Sequence, residues 1–215
     1  MTIELMQHFH RMPIVAILRG VRPEDVLRIA DILVSTGIRV IEVPLNSPNA
    51  MESIRCLVAH YGDTILCGAG TVLHVEAVER VHATGAKLIV SPNTNRAVIE
   101  RSIALGMMAL PGFATATEAF SALEAGATGL KLFPANSYGI GHLKALRAVL
   151  PAKTLLIAVG GAGADNAAEW ATAGADGLGV GTELFHPSYS DAMISERAKK
   201  IVESVSNAFQ INKTV

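Results

Sequence analysis

Cysteine is scarce in this 215-residue chain, which carries only Cys56 and Cys67. Two cysteines at that separation fit neither a disulfide framework nor a metal-ligand spacing. Aromatic residues make up 5% of the chain and charged residues 17%, and eighteen Lys and Arg against nineteen Asp and Glu leave a net charge of −1. A balance this even, with so few aromatics, gives no basic stripe for nucleic acid and no basic face for an anionic membrane. Uninterrupted aliphatic runs such as Leu155 to Val159 fall far below the roughly 18 residues of a membrane span. The opening MTIELMQHFHRMPIV lacks the basic region and apolar core of a signal peptide. No low-complexity stretch and no Pro/Gly/Ser-rich linker divides the sequence. The expectation is a soluble cytoplasmic protein with one domain over residues 1–215, long enough for a large core.

Half of the residues are hydrophobic, and 19 are glycine. A short unit recurs: a helix of small residues ends, a Gly follows, and then come four or five apolar residues. It starts at Gly37, Gly85, Gly106, Gly126 and Gly174. Gly just past a helix supplies the left-handed conformation that ends it. The apolar run after it is too short for a helix and reads as a strand buried on both faces. Strands are expected near 14–18, 38–43, 64–68, 87–90, 107–110, 128–133, 154–159 and 177–180. Eight helices alternate with them, one opened by Pro23-Glu24-Asp25 and another by the capping box of Thr115 and Glu118. Eight strand–helix units at about 20-residue spacing predict a single-domain (β/α)8 TIM barrel. A doubly wound open sheet would want a Gly-rich turn after the first strand, and Ile17-Leu18-Arg19-Gly20 is not one.

Barrel active sites lie at the C-terminal strand ends, so polar residues that fall there carry the information. Of seven lysines, Lys144, Lys153, Lys199, Lys200 and Lys213 fall on helices, loops or the tail, and Lys87 begins its strand. Lys131 alone sits late in an apolar strand, Gly129-Leu-Lys-Leu-Phe-Pro134. A desolvated lysine has a lowered pKa, and its free amine is a nucleophile toward carbonyls. Glu42 sits inside Val40-Ile-Glu-Val-Pro44. A carboxylate there is either a raised-pKa general acid/base or half of an ion pair with Arg19 or Arg39. Arg19 ends the first strand and can grip a carboxylate through two parallel hydrogen bonds. Thr71 follows Gly68-Ala-Gly70 at the end of the third.

Val159-Gly160-Gly161 and Gly179-Val-Gly181-Thr182 close the last two strands. Barrels often build a phosphate site there from backbone N–H groups, and Thr182 can add a hydroxyl. No metal centre is expected, because the seven histidines belong to helices, helix edges or the segment beyond strand eight.

The segments AILRG (16–20), IEVPLNSP (41–48), GAGTVL (68–73), SPN (91–93), PGFATATEAFSALEAGA (111–127), LKLFPAN (130–136), AVGG (158–161) and GVGT (179–182) resemble the bacterial 2-keto-3-deoxy-6-phosphogluconate/galactonate aldolase family. They occur in order and span nearly the whole chain. The resemblance implies a class I aldolase in which Lys131 forms a Schiff base and Glu42 performs acid/base steps. Arg19 and Thr71 would hold the pyruvate portion, and Gly160, Gly161 and Thr182 the phosphate. It further implies a phosphorylated 2-keto-3-deoxy sugar acid as substrate, pyruvate as product, no cofactor, and a homotrimer. Asn46, where gluconate members usually carry Arg, and Val159, where they tend to carry Thr, resemble the galactonate branch. The alternatives are the same cleavage of the gluconate epimer, or a phosphate-binding barrel isomerase or epimerase with Lys131 as a charge partner.

Overall fold

The computed structural model of the chain describes residues 2–211. Lys213, placed on the tail above, lies outside them. Helix α1 (Thr2–Arg11) precedes strand β1 (Ile14–Ile17), and strands and helices then alternate. The order is α2 (Pro23–Ser35), β2 (Val40–Pro44), α3 (Ala50–Tyr61), β3 (Leu66–Gly70), α4 (Val75–His82), β4 (Leu88–Val90) and α5 (Arg96–Ala104). Next come β5 (Met108–Leu110), β6 (Gly112–Phe113), α6 (Ala116–Glu124), β7 (Leu130–Leu132), α7 (Ala135–Tyr138) and α8 (Ile140–Arg147). The chain closes with β8 (Leu156–Val159), α9 (Ala167–Thr172), β9 (Gly177–Val180) and α10 (Asp191–Ala208).

All strand pairs are parallel, in the order β5-β4-β3-β2-β1-β9-β8-β7-β6. The two outer members of that order, β5 and β6, are separated only by Pro111. Proline has no N–H to give to a ladder, so the fifth barrel strand is interrupted there. The Pro111 carbonyl still accepts from Lys131 N at 2.9 Å. Nine short strands therefore make an eight-stranded barrel, where the sequence reading counted eight unbroken ones. Helices also outnumber the expected eight. Helix α1 stands before the first strand, and one crossover is split into α7 and α8 at Gly139, whose φ is 81°.

The local signals act where they were expected. The helix-ending glycines Gly37, Gly85, Gly106, Gly126 and Gly174 all have positive φ. Thr115 and Glu118 form a complete capping box at the start of α6. Side chains alternate faces along each strand, as the two-residue period requires. Ile14 and Ala16 of β1 pack outward against the helices, whereas Val15 and Ile17 face the barrel interior. That interior is filled by Val40, Leu66, Leu88, Met108 and Ile157 among others, and Phe9 from α1 packs with them. Gly177 leaves room for the Phe9 ring, since any Cβ there would collide with its edge. No helix of the described residues is long and apolar enough to cross a membrane.

Candidate active site

Strand parity aims the two key charges. In β2, Val40 faces the interior while Ile41 and Val43 face the helices, so Glu42 points inward with Val40. In β7, Leu130 and Leu132 pack outward, so Lys131 points inward. Counting β5 and β6 as one, β2 and β7 are four strands apart in a ring of eight. They face each other across the barrel.

Both groups are removed from water: Glu42 is 2% exposed and Lys131 7%. Burial pushes the Glu42 carboxyl up to about 7, against the opposing pull of Lys131 and then Arg19. Burial also pushes Lys131 below the ordinary lysine value, with Glu42 acting in the other direction and Arg19 adding to the depression. Desolvation leads for each, so burial shifts both groups toward their neutral forms, Glu42 toward the carboxylic acid and Lys131 toward the free amine. Glu42 Oε2 is buried and without a hydrogen-bond partner. The Lys131 Nζ lies 4.7 Å from the centroid of the Phe133 ring, two residues on and on the same face. Glu42 has its place because residue 70 is glycine, for a Cβ on Gly70 would overlap the carboxylate.

The loops after β1 and β2 are tied together. The Arg19 guanidinium donates to Asn46 Oδ1 at 2.7 Å, and Gly20 N donates to Ser47 Oγ at 2.9 Å. Arg39, the other candidate partner of Glu42, lies at the opposite end of β2. Its guanidinium donates to the carbonyls of Val34 and Ile38. Thr71 follows β3 with a φ of 57°, a left-handed conformation that β-branched residues rarely adopt.

Arg19, Gly160, Gly161 and Thr182 line one cavity of about 580 Å³ together with Ile17, Phe133 and Val159. Glu42, Lys131 and Thr71 are not part of its lining. Lys131 instead reaches its wall through Phe133. A larger cavity of about 750 Å³ lies toward the N-terminal strand ends, beside Arg39 and Lys87, and holds none of the candidate residues. The described residues contain no group of three or more His, Cys, Asp or Glu placed to hold a metal ion.

Three residues at the glycine end escaped the sequence reading. Asn166 accepts from Gly163 N at 2.9 Å and donates to the Gly161 carbonyl at 2.8 Å, which fixes the loop after β8. Its place before α9, where Asn often caps, is the only local signal. Tyr189 and Arg197 hold the loop after β9, and nothing local marks either.

This arrangement sets a desolvated lysine amine and a protonatable carboxyl in an apolar barrel, with an arginine and a glycine-lined cavity at its mouth. It can form an imine with a ketone, move a proton beside it, and hold an anionic tail away from it. A family model described as "Aldolase: KDPG and KHG aldolase" matches residues 5–202. The chain is 43% identical to the 2-dehydro-3-deoxy-6-phosphogalactonate aldolase of Escherichia coli K12 over 205 residues, covering 95% of this chain and 100% of that protein. It is 36% identical to the 2-dehydro-3-deoxy-phosphogluconate aldolase of Treponema pallidum over 137 residues, 64% of this chain and 65% of that one. A solved structure titled "Native KDPGal structure" superposes with a TM-score of 0.91 at 43% identity, over 93% of this chain and 97% of that chain.

Proposed function

The chain belongs to the KDPG and KHG aldolase family, and from that premise we propose that it cleaves 2-dehydro-3-deoxy-6-phosphogalactonate to pyruvate and glyceraldehyde 3-phosphate. The observation that carries the reading is the inward-facing Lys131, buried and biased toward its free amine, opposite an inward-facing Glu42. The 43% identity to a galactonate enzyme over 95% of the chain supports the epimer, as do Val159 at the cavity and Asn46, which holds the cavity's Arg19.

Neutral Lys131 attacks the C2 ketone, and the carbinolamine loses water to give a protonated imine. Glu42, ionised for this step, takes the proton of the C4 hydroxyl. The C3–C4 bond breaks and its electrons flow into the imine, which becomes an enamine as glyceraldehyde 3-phosphate departs. Protonation of the enamine at C3 and hydrolysis release pyruvate and regenerate the amine. Arg19, held by Asn46, meets the substrate carboxylate. Thr71 completes the pyruvate end. Gly160, Gly161 and Thr182 take the phosphate, and that remote binding helps align the reacting bond. No cofactor enters this sequence.

The whole chain acts as one barrel domain in the cytoplasm, assembled as a homotrimer. Phe120 and Tyr138, both large and exposed in the single chain, support a subunit contact. Light scattering on an eluting gel-filtration peak checks the trimer, and a monomer mass counts against it.

The test of the chemistry is borohydride reduction in the presence of pyruvate, followed by peptide mass spectrometry. A stable adduct on Lys131 is expected, with none in Lys131→Ala. An adduct elsewhere, or none in the wild type, removes the mechanism. Comparing cleavage of the two C4-epimeric phosphates decides the substrate, and faster cleavage of the gluconate epimer would overturn the assignment.

A further inference from the structure

The glycine-lined end of the cavity offers backbone N–H groups and one hydroxyl, all of them uncharged. A phosphate monoester arrives with a charge between −1.5 and −2 at neutral pH. Two carboxylates also line this cavity, Asp165 and Glu183. Lys200 holds Asp165 at 2.7 Å. The Glu183 carboxylate lies over Gly163, where no other residue would leave it room. With Arg19 given to the substrate carboxylate and Asp165 paired with Lys200, the glycine end without Arg197 keeps the Glu183 carboxylate and no further cation among its lining residues.

Arg197, on α10, supplies one. Its side chain lines the same cavity. One guanidinium nitrogen donates to the Glu183 carbonyl at 2.9 Å, directly after Thr182. The guanidinium carbon lies 4.8 Å from the centroid of the Tyr189 ring, and the Tyr189 hydroxyl donates to the Thr182 carbonyl at 3.2 Å. Arg197 thus grips the backbone carbonyl just after Thr182 and stacks on Tyr189, which grips the carbonyl of Thr182 itself. A guanidinium has five N–H donors in a planar fork, and this contact spends only one.

We propose that Arg197 is a specificity-determining residue of the phosphate end, placing a fixed positive charge beside the neutral Gly160–Gly161–Thr182 cradle and selecting phosphorylated over unphosphorylated sugar acids. The proposal rests on the aldolase reading for its substrate. It adds a residue from the last helix, away from the glycine loops in sequence, and it explains how an uncharged cradle holds a phosphate beside the Glu183 carboxylate.

Two variants and one label test it. Arg197→Met removes the charge, and Arg197→Lys keeps a charge while losing the fork. In Arg197→Met, KM for the phosphorylated substrate is expected to rise about tenfold to a hundredfold, the scale of a charged hydrogen bond, with a much smaller change in kcat. Cleavage of the unphosphorylated sugar acid should hardly change, and Arg197→Lys should recover much of the lost preference. Equal losses on both substrates in Arg197→Met, or an unchanged preference, would overturn the proposal. Phenylglyoxal labelling of the wild-type protein, mapped by mass spectrometry, needs no variant. Inorganic phosphate should protect Arg197 where chloride at matched ionic strength does not, and equal labelling overturns the assignment. If the wild type forms no pyruvate adduct, the aldolase reading fails, and the protection experiment still decides whether Arg197 meets phosphate.

Discussion

A carboxyl held at about 7 in the folded chain, against 4.5 for an ordinary glutamate, couples stability to pH through Glu42. The folded state keeps the proton more tightly than the unfolded state. Between pH 4.5 and 7 the folded protein therefore binds more protons, and its stability falls as pH rises through that window. Below 4.5 the penalty is absent, and above 7 it is complete. At about 1.4 kcal/mol per pH unit the gap is worth on the order of 3 kcal/mol. Glu42→Gln keeps the shape and removes the ionisation. Relative to wild type it should be near neutral at pH 4.5 and more stable by up to about 3 kcal/mol at pH 8. Urea is the suitable denaturant because it adds no screening salt, and protein concentration must be held fixed for an oligomer. With m of about 1–3 kcal/mol per molar, the midpoint at pH 8 should rise by about 1–3 M. The same variant should lose cleavage by about 10²–10⁴-fold, as expected for removal of a general base. A stability difference that does not change with pH would refute the argument, because it would mean that Glu42 is not held protonated by burial.

The base role also predicts that kcat/KM rises with pH through about 7 and then levels, read from a pH–rate profile. Gly70→Ala puts a methyl where the Glu42 carboxylate lies, so cleavage should fall by more than about tenfold while pyruvate trapping falls less. Thr182→Val should cost about 1–3 kcal/mol in the preference for phosphorylated over unphosphorylated substrate, measured as a ratio of kcat/KM values. Thr115→Ala breaks the capping box at α6, outside the residues that line the cavity, and should lower stability by about 0.5–2 kcal/mol in urea without changing kcat.

Much of this molecule was readable from local chemistry. The barrel follows from apolar runs alternating with capped helices, because helix ends and strand burial are short-range properties of the chain. Lys131 and Glu42 stood out for the same reason: each is a charge inside a run whose neighbours must be buried. Parity would even have given their direction, since Leu130 and Leu132 cannot share a face with Lys131. Parity and length would equally have removed Arg39 as a partner for Glu42, because it stands at the other end of β2. The break at Pro111 was visible as a proline but not as an interrupted strand, since the apolar run on its N-terminal side was continuous enough to fill the count.

What the sequence withheld is the contribution of distant segments to one end of the barrel. Arg197 lies in an 18-residue helix with Glu196, Lys199 and Lys200, where any charge reads as a solvated face. Only the packing of α10 beside the loop after β9 turns one of those charges toward the cavity. Tyr189 is equally silent, and so is the tie between Arg19 and Asn46, which depends on two loops meeting across 27 positions. The division has a physical cause. The groups proposed to make and break bonds must be desolvated, and desolvation leaves a mark in the strand that carries them. A charge that reaches the wet mouth of the barrel from a surface helix, as Arg197 does, costs little there and therefore leaves no pattern. A reading from sequence is consequently strongest for the buried chemistry and the strand-end glycines and weakest for charges brought in by distant helices, which is why Arg197 required the folded chain.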